Sequence, residues 1–157
     1  MIAHEITHCF DNNGAKFDEY GNMNNWWSEE DYRAFELLCK DVADFFDGEE
    51  AIPAVQNNGQ LTLNENIADL GSVACITQLA KEQGNLHMRL LYESIATTWA
   101  NTSTREYAVY ASQIDPHSSG KIRVNRVLVN IPEFYEAFDI KENDGMYVPP
   151  EERVIIW

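Results

Sequence analysis

The chain has 157 residues, 45% of them hydrophobic, which is enough for one domain with a real core. It carries 26 acidic against 11 basic residues, a net charge of −15. That balance argues against nucleic-acid binding, which needs a basic face, and against contact with an anionic membrane surface. No apolar run is long enough to span a membrane, and no signal peptide is visible. Cys9, Cys39 and Cys75 are odd in number and widely spaced, with no C-x-x-C pair. They read as free, largely buried thiols.

The elements follow in order. Residues 1 to about 10 are predicted as a short helix. Asp11-Asn12-Asn13-Gly14 is a turn signal, and the Asn-, Gly- and Asp-rich stretch to Asn25 reads as an ordered loop anchored by Phe17 and Tyr20. Ser28 is the expected N-cap of a second helix, with Glu29, Glu30 and Asp31 in its first turn. Tyr32, Phe35, Leu38, Val42, Phe45 and Phe46 then recur at helical spacing as a core stripe. Residues 47–60 hold Gly48, Pro53 and Asn58-Gly59 and read as a loop. A long helix is predicted from about Leu63 to Gln83, terminated by Gly84. Further helices are predicted over Leu86–Ala100, Arg105–Gln113, Ile122–Val129 and Pro132–Phe138. His87 reads as a surface residue. Strand signals are scarce, so the fold is expected to be mainly α.

Two constellations carry chemistry. His4-Glu5-Ile6-Thr7-His8 has the pattern H-E-x-x-H. On a helix, residues four apart share a face, so both imidazoles can reach one ion. Zinc suits the pair, because neutral imidazole is a good ligand and a tetrahedral site leaves room for a third ligand and a water. Glu5, offset by one residue, would miss the metal and sit beside that water as a general base. On the long helix, Glu65 and Asp69 again lie four apart. One could ligate the metal while the other accepts a hydrogen bond from the far nitrogen of a ligating histidine. Taken alone, the two acids could equally be solvated side chains of an acid-rich chain.

Together these segments resemble a known family. His4 to His8 with Phe10-Asp11, then Leu61-Thr62-Leu63-Asn64-Glu65-Asn66-Ile67-Ala68-Asp69-Leu70-Gly71, then His117 to Arg123, are similar to the C-terminal catalytic part of the M13 (neprilysin-like) zinc metalloendopeptidases. The likeness extends over essentially the whole chain, including Trp26-Trp27, Glu133-Phe134 and Trp157. It implies a thermolysin-like (gluzincin), mainly α C-terminal helical subdomain with few or no strands. It also implies one Zn2+ held by His4, His8 and Glu65, with Glu5 as base and Asp69 beside a zinc histidine.

By the same resemblance His117 meets the oxyanion, Arg123 a substrate carbonyl, and Trp99 the pocket for the residue after the scissile bond. Plain core packing is the alternative for Trp99. Asp115 is placed to orient His117. The implied partners are peptide substrates.

The departures are specific. Val154-Ile155-Ile156-Trp157 stands where extracellular animal members end in C-x-x-W, which points to a bacterial-type member. Ser72 replaces a usual second glycine. The family's N-terminal lobe and its segment for substrate backbone have no counterpart here, so residues 1–157 are expected to be one domain of a longer protein. The family further suggests an extracytoplasmic location, with any anchor outside this segment. A zinc-binding chain without catalytic competence is the alternative expectation.

Overall fold

The structure is a computed structural model and describes residues 1–84 and 87–157. Among these are seven α-helices and one small two-stranded sheet. They are α1 (Ile2–Thr7), α2 (Glu29–Phe46), β1 (Glu50–Ile52), β2 (Val55–Gln56), α3 (Leu63–Glu82), α4 (Met88–Trp99), α5 (Arg105–Ile114), α6 (Gly120–Leu128) and α7 (Pro132–Phe138). The mainly α expectation holds. Leu86, where the fourth helix was expected to begin, lies outside the described residues.

Within 47–60, read as loop, β1 and β2 pair antiparallel with an irregular register. Pro53 has no amide to donate and Ala54 takes φ +64, so the chain turns back on itself there. Two strands of three and two residues are too short to show an alternating pattern in sequence.

The first turn of α2 is capped as predicted: Ser28 Oγ accepts from Asp31 N at 3.1 Å. Its buried seam is Phe35, Cys39, Val42, Ala43 and Phe46. Leu38, expected in that seam, is exposed, because the seam runs through positions four and seven after Phe35 rather than three. Cys39 is the one buried thiol, and burial pushes its pKa up to about 12, which keeps it inert. Cys9 and Cys75 are free but exposed, contrary to the expectation of burial.

α3 is the central element. Leu63, Ile67, Leu70 and Val73 join the main core with Phe46, Tyr92, Ile122, Val127 and Phe134. Burying each such side chain stabilises the fold by roughly 1.5–3 kcal/mol. The other flank of the same helix buries Glu65, Asn66 and Asp69. Buried polar groups are tolerated only when partnered, so that flank must face other polar groups. α1 supplies some of them, lying along α3, while α2 and α6 pack on its other sides.

Close approach of α1 to α3 depends on Gly71. A Cβ there would fall 2.6 Å from Thr7 Cγ2 and 2.9 Å from Trp157 Cδ1. Thr7 cannot swing away freely, since its hydroxyl donates to Ala3 O at 2.7 Å and its Cβ is branched.

Aromatic stacking closes the same end. Trp27 stacks on Phe35 (5.1 Å between centroids), Phe35 on Trp157 (5.6 Å), and Phe10 meets Trp157 edge-on (6.0 Å). The loop before α2 is held by tryptophan rather than by Phe17 and Tyr20, both of which are exposed. Trp26 Nε1 donates to Phe17 O and Trp27 Nε1 to Ala15 O.

Candidate metal centre and adjoining pocket

His4 on α1 and His8, in the 3-10 turn that continues it, lie one turn apart, and α3 presents Glu65 and Asp69 one turn apart, on facing sides. His4 Nε2 and His8 Nε2 are 3.1 Å from each other. Glu65 Oε2 is 3.2 Å from His4 Nε2, and Glu65 Oε1 is 3.6 Å from His8 Nε2. The edge of a tetrahedron with bonds of 2.0–2.2 Å is about 3.3–3.6 Å, the geometry of nitrogen and oxygen ligands around zinc. The three groups therefore fit that ion. Glu65 Oε2 supports the fit: it is buried and accepts no hydrogen bond of proper geometry, although two imidazole nitrogens lie within 3.2 Å. Three electron-pair donors converge there, and of them Glu65 Oε2 is the one left without a hydrogen bond.

Each histidine has a carboxylate behind it. Asp69 Oδ1 lies 2.9 Å from His4 Nδ1, close enough for ion pairing but at an angle that bends any hydrogen bond. His8 Nδ1 lies 2.7 Å from Asp11 Oδ2. His4 is pushed up to about 9, first by Asp69 and then by Glu65, against the opposing effect of burial. Burial alone would raise the Glu65 pKa. The contact with His4 and the fields of His117, His8 and His4 outweigh it and hold the carboxyl below its usual range.

Asp69 has a second partner. Arg123 donates from Nε to Asp69 Oδ2 at 2.6 Å and from Nη2 to Oδ1 at 2.9 Å. The guanidinium also stacks over Trp99, 3.7 Å from the ring centroid. Arg123 is thus buried with its fork on a protein carboxylate, although it was expected on a substrate carbonyl. It still lines the pocket, as does Trp99: a cavity of about 850 Å³ borders the centre, with Thr62, His117, Val124 and Ala51 in its wall.

His117 is half-exposed at the junction of centre and pocket. Asp115 Oδ1 takes its backbone N–H at 2.9 Å and faces Nδ1 at 2.7 Å, as expected of an orienting group. Nε2 is then directed to Glu65 Oε2, 3.1 Å away. Burial pushes Asp115 up, but the bonds from His117 more than compensate and hold its pKa low. Glu5 is exposed beside the two histidines. His87 is exposed, as read.

Sequence reasoning missed a buried chain of hydrogen bonds that sets this geometry. Asn57 and Asn66 both donate to Thr62 Oγ1, at 3.1 and 2.9 Å, and Ser118 Oγ donates to Asn66 Oδ1 at 2.8 Å. Ser118 directly follows His117, so this chain fastens the histidine's loop to α3. The only sequence signal was a polar residue in the interior of a helix otherwise patterned for burial.

Two histidines four residues apart, one on α1 and one in the 3-10 turn that continues it, with a glutamate from α3 and a further glutamate beside the first histidine, define a metal centre of the H-E-x-x-H kind. Residues 1–154 match Peptidase family M13. The neutral endopeptidase of Lactococcus lactis subsp. lactis (strain IL1403) is 43% identical over 159 residues, covering 100% of this chain and 25% of that protein. The crystal structure of PepO from Lactobacillus rhamnosis HN001 (DR20) superposes with a TM-score of 0.89 at 39% identity, over 99% of this chain and 25% of the other. The Mycobacterium tuberculosis zinc metalloprotease Zmp1, in complex with an inhibitor, gives 0.90 at 31% identity, over 99% and 26%. The chain belongs to peptidase family M13. It spans about a quarter of the length of the curated relatives it matches.

Proposed function

We propose that residues 1–157 form the zinc-holding part of an endopeptidase that hydrolyses internal peptide bonds of oligopeptides. One observation carries the reading: His4 Nε2, His8 Nε2 and a Glu65 oxygen converge to within 4.8 Å, with Glu5 exposed alongside. The relatives' names, neutral endopeptidase and zinc metalloprotease, support it. His4, His8 and Glu65 would hold one zinc ion. Bound there, zinc supplies a Lewis acid and lowers the pKa of a water at its open position to about 7.

The chain's own groups do the rest. Glu5 takes the proton of the attacking water and returns it to the leaving amine, the role of a positioned carboxylate base. His117, fixed by Asp115 and by the Ser118–Asn66 bond, meets the oxygen on which charge develops. A donor at that place lowers the barrier by about 2.7–4 kcal/mol. Asp69 fixes the His4 ring while Arg123 holds Asp69. Trp99 and Arg123 form a wall that suits a large apolar side chain after the scissile bond.

The open, solvent-facing side of the site favours a second reading for the isolated chain, namely zinc binding with poor cleavage. Metal analysis combined with a fluorogenic peptide assay separates the two. Stoichiometric zinc with robust, chelator-sensitive cleavage supports catalysis by this segment itself. Stoichiometric zinc without cleavage supports the second reading. Failure to bind zinc refutes both.

A further inference from the structure

We propose that Lys121 is a specificity-determining residue whose ammonium takes a carboxylate of the peptide on the leaving-amine side of the scissile bond. The inference rests on the peptidase reading above and names a substrate class for the same site, peptides that are acidic on that side. Lys121 lies in the wall of the pocket of about 850 Å³ together with His117, Trp99 and Arg123. Its Nζ donates to Glu50 O at 3.1 Å, which holds the side chain against the β1–β2 hairpin. An ammonium carries three donors, so two remain for a ligand.

The neighbouring charges leave this lysine without a partner of its own. Lys40, Lys81 and Lys141 each pair with a carboxylate, whereas Lys121 has none within ion-pair distance among the described residues. Two acids border the same wall, and both are engaged. Glu50 turns Oε1 to Ala54 N at 3.2 Å, and Asp115 Oδ1 serves His117. Arg123, the other permanent cation of the wall, has Nε and Nη2 on Asp69. Ser119 Oγ, also in the wall, is buried and has no hydrogen-bond partner. An ammonium and a hydroxyl two residues apart therefore lack an acceptor that a carboxylate supplies.

The chain as a whole carries a net charge of −15 and repels anionic peptides at long range. A carboxylate in the pocket is therefore selected by the local cation and not by the general field. His117 meets the reacting carbonyl and Trp99 the next side chain. Lys121, on the hairpin side of the wall, meets the carboxylate further along the peptide.

The test compares three peptides with one scissile bond in the zinc-loaded full-length parent. Two are amidated and carry Glu or Gln at the second position after that bond. The third ends at that Gln with a free carboxylate. The expected kcat/KM of wild type is about 3- to 10-fold higher for a carboxylate peptide than for the neutral one, a margin that shrinks with added salt. A preference for the Glu peptide alone assigns a side chain, and one for the free acid alone assigns a chain terminus. Lys121→Gln keeps a donor for Glu50 O but no charge, and its ratio is expected to fall to about 1; Lys121→Arg is expected to restore it. Ratios within each enzyme separate this role from bracing of the hairpin, which would lower all three peptides alike. No preference in wild type, or a preference that survives in Lys121→Gln, overturns the inference. Calorimetry of the dipeptide amides Phe-Glu-NH2 and Phe-Gln-NH2 on the same protein needs no turnover, and equal affinities would also overturn it. Tighter binding of Phe-Glu-NH2 by a parent that cleaves no peptide would sink the hydrolase reading and leave the role of Lys121 standing.

Discussion

His4 Nε2 and His8 Nε2 face each other across 3.1 Å, closer than two lone pairs tolerate without a proton or a cation between them. A proton and a zinc ion therefore compete for the same nitrogens. His4 is raised to about 9 from 6.5, so the proton is held well above neutrality when zinc is absent.

The sign of the pH dependence follows. A raised folded pKa gives the zinc-free chain stability that is full below pH 6.5 and is lost as pH rises through about 9. Zinc needs the neutral ring, so binding between these values releases the His4 proton, and apparent affinity rises with pH across the window. Calorimetry in buffers of different ionisation enthalpy measures the released proton. Affinity that stays flat from pH 6.5 to 9 would contradict the assignment of His4 as ligand.

Glu5→Gln keeps the size of the side chain and removes its basicity. In the full-length parent protein, peptide turnover is expected to fall by about 10²-fold or more, the scale of a lost general base. Zinc content should stay at wild-type level, because Glu5 is not among the converging ligands. Unchanged peptidase activity would rule out the base role.

Gly71→Ala pits two effects against each other. Alanine favours a helix interior by about 0.8–1.0 kcal/mol over glycine. Its methyl would lie 2.6 Å from Thr7 Cγ2, and overpacking of that kind costs about 1–3 kcal/mol. The clash should win. Urea denaturation is expected to show net destabilisation, and chelator competition a weaker zinc site, since α1 must shift relative to Glu65. A stabilised variant with intact affinity would show that the two helices have slack.

Ser118→Ala removes the donor to Asn66 Oδ1 and leaves a buried carbonyl oxygen unpaired. The expected loss of stability is about 1–3 kcal/mol, measurable by denaturation. In the parent protein kcat should fall more than KM rises, because the loosened group is His117 rather than the pocket wall. Equal changes in both would place Ser118 in substrate binding.

Much of this architecture is legible in the sequence where information is local. Helix α2 shows its period, α3 is legible by its length and apolar run, and Ser28 and Gly84 mark an end of each. The ligand pairs are legible because four-residue spacing fixes a shared face before any tertiary structure is known. What the residues do across long separations is not. Arg123 is 54 residues from Asp69, and no local pattern says that its fork is already taken. By spacing alone Asp11 looks like part of an Asn-Gly turn, since the three residues that bring it to His8 matter only once the chain tightens into a 3-10 turn at His8–Phe10. The hairpin was too short to alternate, and Leu38 lay on the wrong flank of a stripe that composition alone could not orient.

The double use of Asp69 has a thermodynamic consequence. Its Oδ1 is shared by His4 Nδ1 and Arg123 Nη2, and Arg123 in turn stacks on Trp99. A ligand in the pocket that draws on the guanidinium changes how much negative charge reaches His4, and hence how strongly that ring donates to a metal. By reciprocity of binding free energies, a metal at His4 must then alter the affinity of the pocket by the same factor. In the proposed site, ion binding and pocket occupancy would be coupled through one carboxylate.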